Sequence, residues 1–386
     1  NIDIDLDYIP LNDKKTFSLL AKGQTEGLFQ LNGSGMTRYL KELKPTSIHD
    51  INAMVALYRP GPMESIPEYI KRKHNHSLIR YLDPRLKDIL DQSYGVITYQ
   101  DDVMMIAIKL GGYSWLEADK LRKAMGKKIP AVMEAERNKL LDGFVKNGMN
   151  AKLAQEFWEL IEPFAAYGFN KAHAASYGRV AYQTAYMKAN FPVEYMSAIL
   201  TAESGDVEKI SEIVKECKNM EIDVLPPDVN ESFGGFTVIK NEKGQPAIRF
   251  GLYTIKNLGR DIADSIIEER KVRRPFKSLG DFFERINHKN LNKKSVEALA
   301  KSGAMDHLAE RNMIIGNLEA LLSFNKEARG NSSQDSLFGS IGGVQVKLHL
   351  APQKEAKMVE KLAWEKELLG LYISGHPLDA YRAKIE

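Results

Sequence analysis

The stretch FAAYGFNKAHAASYGRVAYQTAYMKAN, Phe164–Asn190, decides how the chain is read. Tyr167-Gly168-Phe169-Asn170 has the composition of a turn, and nothing from Ala172 to Asn190 interrupts a helix until Pro192. Lys171, Arg179 and Lys188 give the stretch a charge of +3, with no acidic residue. Four tyrosines, one histidine and several alanines share it. Small residues let such a helix approach a partner closely, tyrosines offer flat faces with polar tips, and the cations suit an anion. The same composition fits a core helix with snorkelling lysines, and this stretch alone does not choose between the two.

A chain of 386 residues has room for two or three domains, each with its own core. Hydrophobic residues make up 44% and charged ones 27%, as in an ordinary soluble globular protein. The net charge of +3 is too small to imply nucleic acid. Its distribution says more: Phe191–Asn230 holds nine acids against three lysines, directly after the basic helix. Concentrated cations are what an anion-binding cleft requires. The single cysteine, Cys217, excludes an internal disulfide and a thiolate metal site. No apolar run reaches membrane-spanning length and no secretory signal opens the chain, so a cytoplasmic location is expected. The chain starts without Met in what reads as mid-strand, which suggests part of something larger.

Asn1–Pro10 alternates Ile2, Ile4 and Leu6 with Asp3, Asp5 and Asp7, a period of two that predicts a strand. Its carboxylates could hold divalent metals, or simply guard a solvated edge. Helices are predicted at Thr16–Ala21, Gly33–Leu43 and Asp50–Leu57. The last runs into Tyr58-Arg59-Pro60-Gly61-Pro62, whose stiffness would fix where Arg59 points. His74-Asn75-His76 spells a nuclease motif without its setting, and reads as a surface turn. Val96–Tyr99 reads as a short buried strand. In EADKLRKAMGKK, Glu117–Lys128, the cations are Lys120, Arg122, Lys123, Lys127 and Lys128. They exceed what capping a helix C-terminus at Gly126 needs, which points to phosphate. Helical periodicity continues through Ala135–Phe164 with a break near Gly148.

Further on, an acidic shift and Ser204-Gly205 predict a division between two blocks at Thr201–Asp206. Val207–Met220 is amphipathic, and Leu225-Pro226-Pro227 marks another boundary. Gly235–Leu252 gives two strands around a polar turn at Asn241–Gly244. Thr254–Arg270 resembles a helix-hairpin-helix, in which turn N–H groups and a helix N-terminus hold a DNA phosphate. The turn residues are Lys256, Asn257, Leu258 and Gly259, with Asn257 where a glycine is usual. Gly330–Gly343 has linker composition, apart from Gln334-Asp335-Ser336-Leu337-Phe338, an apolar pair suited to a partner's pocket. A helix and a strand are expected in Trp364–Tyr372, then a turn at Gly375-His376-Pro377.

YRPGP (58–62), LRKAMGKK (121–128), YGFNKAH (167–173), VAYQTAY (180–186), VLPPDVN (224–230) and SGHPL (374–378) occur in the order found in the C-family replicative polymerases of bacteria. The chain closely resembles their DNA polymerase III alpha subunits along nearly all its length. The resemblance implies a mainly α fold with minor β: helical fingers plus a smaller α+β domain with the helix-hairpin-helix. It assigns residues 1–25 to a strand and connector from the palm, 26–205 to the fingers and 206–329 to the clamp-binding domain. A linker with the clamp motif follows at 330–345, then the lead-in to an OB-fold at 346–386.

It implies that Arg122, with Lys123 where many relatives have arginine, contacts the triphosphate of an incoming deoxynucleotide. Lys127 is a further nucleotide-binding residue, Arg59 and Lys171 face phosphates or the primer end, and His173 and Tyr167 the sugar and base. Lys256–Gly259 would touch DNA, and Gln334–Phe338 the sliding clamp. Two Mg²⁺ ions would sit on palm carboxylates absent from this chain, so no catalytic or metal-binding residue is assigned here and the chain alone should not polymerise. Partners implied are primer-template DNA, deoxynucleoside triphosphates, the clamp and other replicase subunits in a nucleoid-associated setting, with no membrane. Rival readings are a stand-alone, non-catalytic helix-hairpin-helix module and a nuclease using Asp3, Asp5 and Asp7.

Overall fold

A computed structural model describes residues 3–127, 130–333 and 348–378. The chain is mainly helical, with one small sheet among the described residues. It divides into two compact units, Asn1–Asn190 and Phe191–Glu386.

In the first unit the helices are α1 (Lys14–Lys22), α2 (Ser34–Leu43), α3 (Ile48–Leu57), α4 (Ile66–His74), α5 (Lys87–Leu90), α6 (Gln100–Lys109), α7 (Trp115–Lys127), α8 (Pro130–Lys146), α9 (Ala151–Tyr167) and α10 (Lys171–Asn190). Local chemistry sets many of their ends. Asp13 caps α1 through the Thr16 N–H at 2.9 Å, and Ser47 with Asp50 closes a capping box on α3. Gly148, at φ 89°, makes the break between α8 and α9. Gly126 does not end α7 but lies inside it, with Lys127 the last helical residue.

Helix α10 is the spine of this unit and packs on α3 and α1. Ala174, Gly178, Ala181 and Ala185 are buried along it. A β-carbon at Gly178 would collide with the Asn52 side chain on α3, so only hydrogen there permits the approach. Lys188 is fully buried, and its Nζ donates to the Glu26 carbonyl at 2.8 Å. Arg179 Nη2 donates to the Asp7 carbonyl at 2.6 Å, and the Tyr182 hydroxyl to the Pro10 carbonyl at 2.6 Å. Two of the helix's three cations therefore brace the chain's own backbone.

Two strands expected in this unit are not formed. Leu6–Tyr8 is a 3₁₀ turn capped by Asp5, whose Oδ1 accepts the Asp7 N–H at 2.9 Å. The alternation of Asp3, Asp5 and Asp7 thus serves a local turn rather than a sheet edge. Val96–Tyr99 is buried, but Asp102 Oδ2 accepts the Thr98 and Tyr99 N–H groups at 2.9 Å each, replacing a partner strand. His74 ends α4, and Asn75 and His76 open the 3₁₀ turn that follows; all three are exposed.

The second unit continues with α11 (Pro192–Ala202) and α12 (Val207–Asn219), then β1 (Val224–Leu225), β2 (Thr237–Lys240) and β3 (Pro246–Arg249). The strand order is β1-β3-β2, with β1 parallel to β3 and β2 antiparallel to it in the register Val238 to Ile248. The expected hairpin is present. β1 joins it from before Pro226-Pro227, so no boundary falls there. Helices α13 (Arg260–Val272), α14 (Leu279–Arg285), α15 (Lys293–Lys301), α16 (Arg311–Gly316), α17 (Leu318–Ser333) and α18 (Met358–Leu368) complete the unit. No strand follows α18 among the described residues.

Met196 and Leu200 of α11 share one core with Ile210 and Ile213 of α12. The division expected at Thr201–Asp206 is therefore only the turn between two helices of one unit, where solvent, not a boundary, accounts for the acids. The units part earlier, after Asn190. Gly330–Ser333 lie in α17 rather than in a linker. Residues 334–347, with Gln334–Phe338, lie outside the described residues.

Gly178→Ala should lower stability by about 1–3 kcal/mol, the usual cost of overpacking, because α3 must move. Urea unfolding of the two proteins compares them, and coincident curves would show that α10 and α3 tolerate the added methyl group.

Candidate nucleotide and nucleic-acid surfaces

The turn between α9 and α10 gathers three of the expected residues around Phe169. Asn170 starts α10, its Oδ1 accepting the His173 N–H at 2.9 Å. From α6, the Gln100 N–H donates to the Phe169 carbonyl at 3.0 Å, and Asp101 Oδ2 accepts the Lys171 N–H at 2.7 Å. The turn is thus tied to α6 at both ends, once by a backbone N–H and once by a side-chain carboxylate.

Arg59 reaches it from the Tyr58–Pro62 loop, where Gly61 has φ 94°. The guanidinium lies 3.8 Å over the Phe169 ring. Its Nε is buried with no hydrogen-bond partner among the described residues, and desolvation holds its pKa below the usual arginine value. The His173 ring lies 5.0 Å from Phe169 and 4.2 Å from Tyr177, centroid to centroid. Lys171 Nζ is 5.6 Å from the Tyr99 ring centre. Lys171 also lines a cavity of about 390 Å³ with Lys87, Asp88, Asp91 and Gln92. An arginine, a lysine and an imidazole brought to one turn from two stretches of chain can take an anion beside a flat or ring-shaped group.

Arg122 and Lys123 sit apart from this group, on α7. Both pair with Asp119, Arg122 Nη2 at 2.7 Å and Lys123 Nζ at 2.6 Å. The Lys123 contact, then that of Arg122, holds the Asp119 carboxyl below its ordinary pKa. Exposed pairs of this kind are weak, so an anion of higher charge can displace Asp119. The helix carries Lys127 at its last position, and Tyr167 ends α9.

In the second unit the Lys256–Gly259 turn follows a 3₁₀ turn, Leu252–Thr254, rather than an α-helix. Asn257 takes φ 70°, the left-handed conformation that the missing glycine would have supplied. Leu258 is buried, while Lys256 and Asn257 are exposed. Gly259 caps α13, and Asp261 in its first turn is held by Asn290. Among the described residues no three His, Cys, Asp or Glu side chains converge as metal ligands. No described helix is long and apolar enough to cross a membrane.

Residues 1–148 match the family described as the bacterial DNA polymerase III alpha subunit finger domain, and residues 221–313 match a helix-hairpin-helix motif. The DNA polymerase III subunit alpha of Thermus aquaticus is 43% identical over 98% of this chain and 31% of its own length. Those of Borreliella burgdorferi (43%) and Bacillus subtilis (42%) align over 100% of the chain and 34% of their own length. The chain belongs to the DNA polymerase III alpha-subunit family. It spans about a third of the length of the curated relatives it matches. In the Phe169 group, Arg59 lies inside the finger match, and Phe169, Lys171 and His173 lie beyond its end at residue 148.

Sequence reasoning named Arg59, Lys171 and His173, but not what holds them: Phe169, Tyr177, Asp101 and Asp102. Asp102 is the most perturbed of these. Burial raises its carboxyl pKa to about 6, against the pull of the Thr98 and Tyr99 N–H groups. A carboxyl with a raised folded pKa stabilises fully below its unfolded value, about 3.9, and that contribution is lost as pH rises through 6. Asp102→Asn keeps an acceptor for both N–H groups without the charge. Relative to the parent it should gain on the order of 1–3 kcal/mol between pH 4 and 7. Urea unfolding at the two pH values reads this, and parallel pH profiles would mean that Asp102 is not burdened by burial.

Proposed function

We propose that the first unit binds the incoming deoxynucleoside triphosphate, and that the second holds primer-template DNA by its backbone. Both would serve template-directed nucleotidyl transfer by a replicative DNA polymerase. One observation carries the reading: Arg59, from a loop distant in sequence, stacks on Phe169 beside Lys171 and His173, at a turn held to α6 by the Gln100 N–H and the Asp101 carboxylate. Such preorganised charge is what phosphoryl transfer chiefly asks of a protein. Arg59 and Lys171 would meet phosphates, with Arg122, Lys123 and Lys127 on the triphosphate and His173 and Tyr167 at the sugar and base. Lysine at 123 supplies charge without the bidentate fork of arginine. Lys256–Gly259 would contact DNA phosphates through the turn and the start of α13.

DNA polymerases generally use divalent ions. The described carboxylates do not fit a two-metal site, and Asp5 is spent on its own turn, so we place Mg²⁺ on other residues of the alpha subunit. Nucleotidyl transfer is thus proposed for the complete subunit, in the bacterial cytoplasm at the nucleoid.

In the complete subunit, Arg122→Ala and Lys171→Ala should each reduce kcat/KM for deoxynucleotides roughly ten- to a hundredfold, as losing a charge contact costs about 1.5–3 kcal/mol. His173→Ala should relax refusal of ribonucleotides. Wild-type efficiency in a steady-state incorporation assay would make that cation structural, and unchanged sugar selectivity would remove His173 from the sugar.

Gln334–Phe338 we propose as a docking peptide for the sliding clamp. Two adjacent apolar side chains gain about 1.5–3 kcal/mol each on burial, and Gln334 both donates and accepts at a pocket rim. Changing Leu337 and Phe338 together to Ala should abolish clamp-dependent synthesis on long templates and spare incorporation on short primers. Persistent long-template synthesis would leave the segment a linker.

A further inference from the structure

The Phe169 group extends past the residues assigned above. Phe29, in the loop before α2, lies 5.4 Å from Tyr177, which lies 4.2 Å from His173. His173 is 5.0 Å from Phe169, and Arg59 caps that ring at 3.8 Å. Five planar groups, three from the start of α10 and the turn before it and one each from the loops of Phe29 and Arg59, thus make one unbroken run with His173 in the middle. The rings are inclined at 43°, 47° and 62°, so neighbours close one another's faces instead of leaving parallel slots for a base.

Among the described residues no hydrogen bond orients the His173 ring, although its backbone N–H is capped. The torsion that turns an imidazole is broad, so an exposed histidine without a ring partner samples several orientations. Here the two flanking rings do the orienting. Tyr177 sits one turn along α10. Phe29 is held on the far side of Tyr177 because its loop is tied to α10 twice: the Phe29 N–H donates to Thr184 Oγ1 at 3.3 Å, and Lys188 grips the Glu26 carbonyl. A lysine buried this completely is accounted for by the loop it holds.

We propose that Tyr177 and Phe29 are positioning residues for His173, setting how strongly the nucleotide site refuses a 2′-hydroxyl. The inference rests on the sugar role given to His173 above. A side chain excludes one hydroxyl only while it stays in place, and the run from Phe29 to Arg59 is what keeps the imidazole there. The Tyr177 ring, not its hydroxyl, does this work.

The test measures single-nucleotide incorporation by the complete alpha subunit, as the ratio of kcat/KM for deoxy- over ribonucleotides. Tyr177→Ala and Phe29→Ala should each lower that ratio by roughly tenfold, about the effect of one lost ring contact. Tyr177→Phe should keep it. Adding Tyr177→Ala to His173→Ala should lower it no further, because the tyrosine acts through the histidine. If His173→Ala relaxes selectivity while Tyr177→Ala and Phe29→Ala keep the parent ratio, positioning is refuted and the sugar role stands. Additive losses in the double variant also refute it. If His173→Ala changes nothing, the sugar role fails and the inference falls with it. Should Tyr177→Ala not fold by thermal melting, Phe29→Ala, at an exposed position, decides alone.

Discussion

The close approach of α10 to α3 is the constraint on which the first unit depends. Gly178 has no room for a β-carbon beside Asn52, and Ala174, Ala181 and Ala185 extend the same buried stripe. A helix seated this closely loses its lateral freedom. Its other faces then become fixed surfaces against which chain from elsewhere is laid. Tyr182 and Arg179 hold Leu6–Pro10, and Lys188 holds the loop at Glu26. What remains open is the first turn of α10, where Phe169, Lys171 and His173 gather. The position of that group thus follows from packing at the far side of the same helix.

This explains why three cations on one helix have different fates. From composition, Lys171, Arg179 and Lys188 are equivalent, and the choice between an anion-facing helix and a core helix stays open. Both descriptions hold, at opposite ends. Arg179 and Lys188 satisfy carbonyls of segments that lack regular partners, as buried or partly buried cations must. Lys171 alone of the three is exposed, and it borders a polar cavity.

What was legible in the sequence was local. The 167–170 turn, the span of α10, the break at Gly148, the β2–β3 hairpin and the left-handed Asn257 each follow from residue types within a few positions. Two of the failures share one cause, that side chains can do what secondary structure was expected to do. Asp5 turns an alternating stretch into a capped 3₁₀ turn, and Asp102 satisfies buried N–H groups that seemed to call for a strand. The acids after Thr201 signalled solvent at a helix turn, not a boundary, because α11 and α12 share one core. Phe29 was invisible for a different reason: nothing near it in sequence announces a ring that meets Tyr177 in space.

The two sets of candidate phosphate-binding cations are prepared in opposite ways. Arg122 and Lys123 share Asp119, so in the free protein they are ordered at little cost and little gain, since water and salt screen exposed pairs. A polyphosphate can displace that single carboxylate. Arg59 has no carboxylate to lose among the described residues. It is stacked on Phe169, partly desolvated and left with a buried Nε that has no partner among the described residues. An unmet donor of that kind costs stability until an acceptor arrives, so its interaction with an anion is less offset by a bond that must first be broken. Exchangeable pairs suit the mobile end of a triphosphate, and a fixed, desolvated guanidinium suits a group whose place must not vary. The stiff Arg59-Pro60-Gly61-Pro62 loop is consistent with the second demand, because a proline-bounded backbone cannot follow a side chain that drifts.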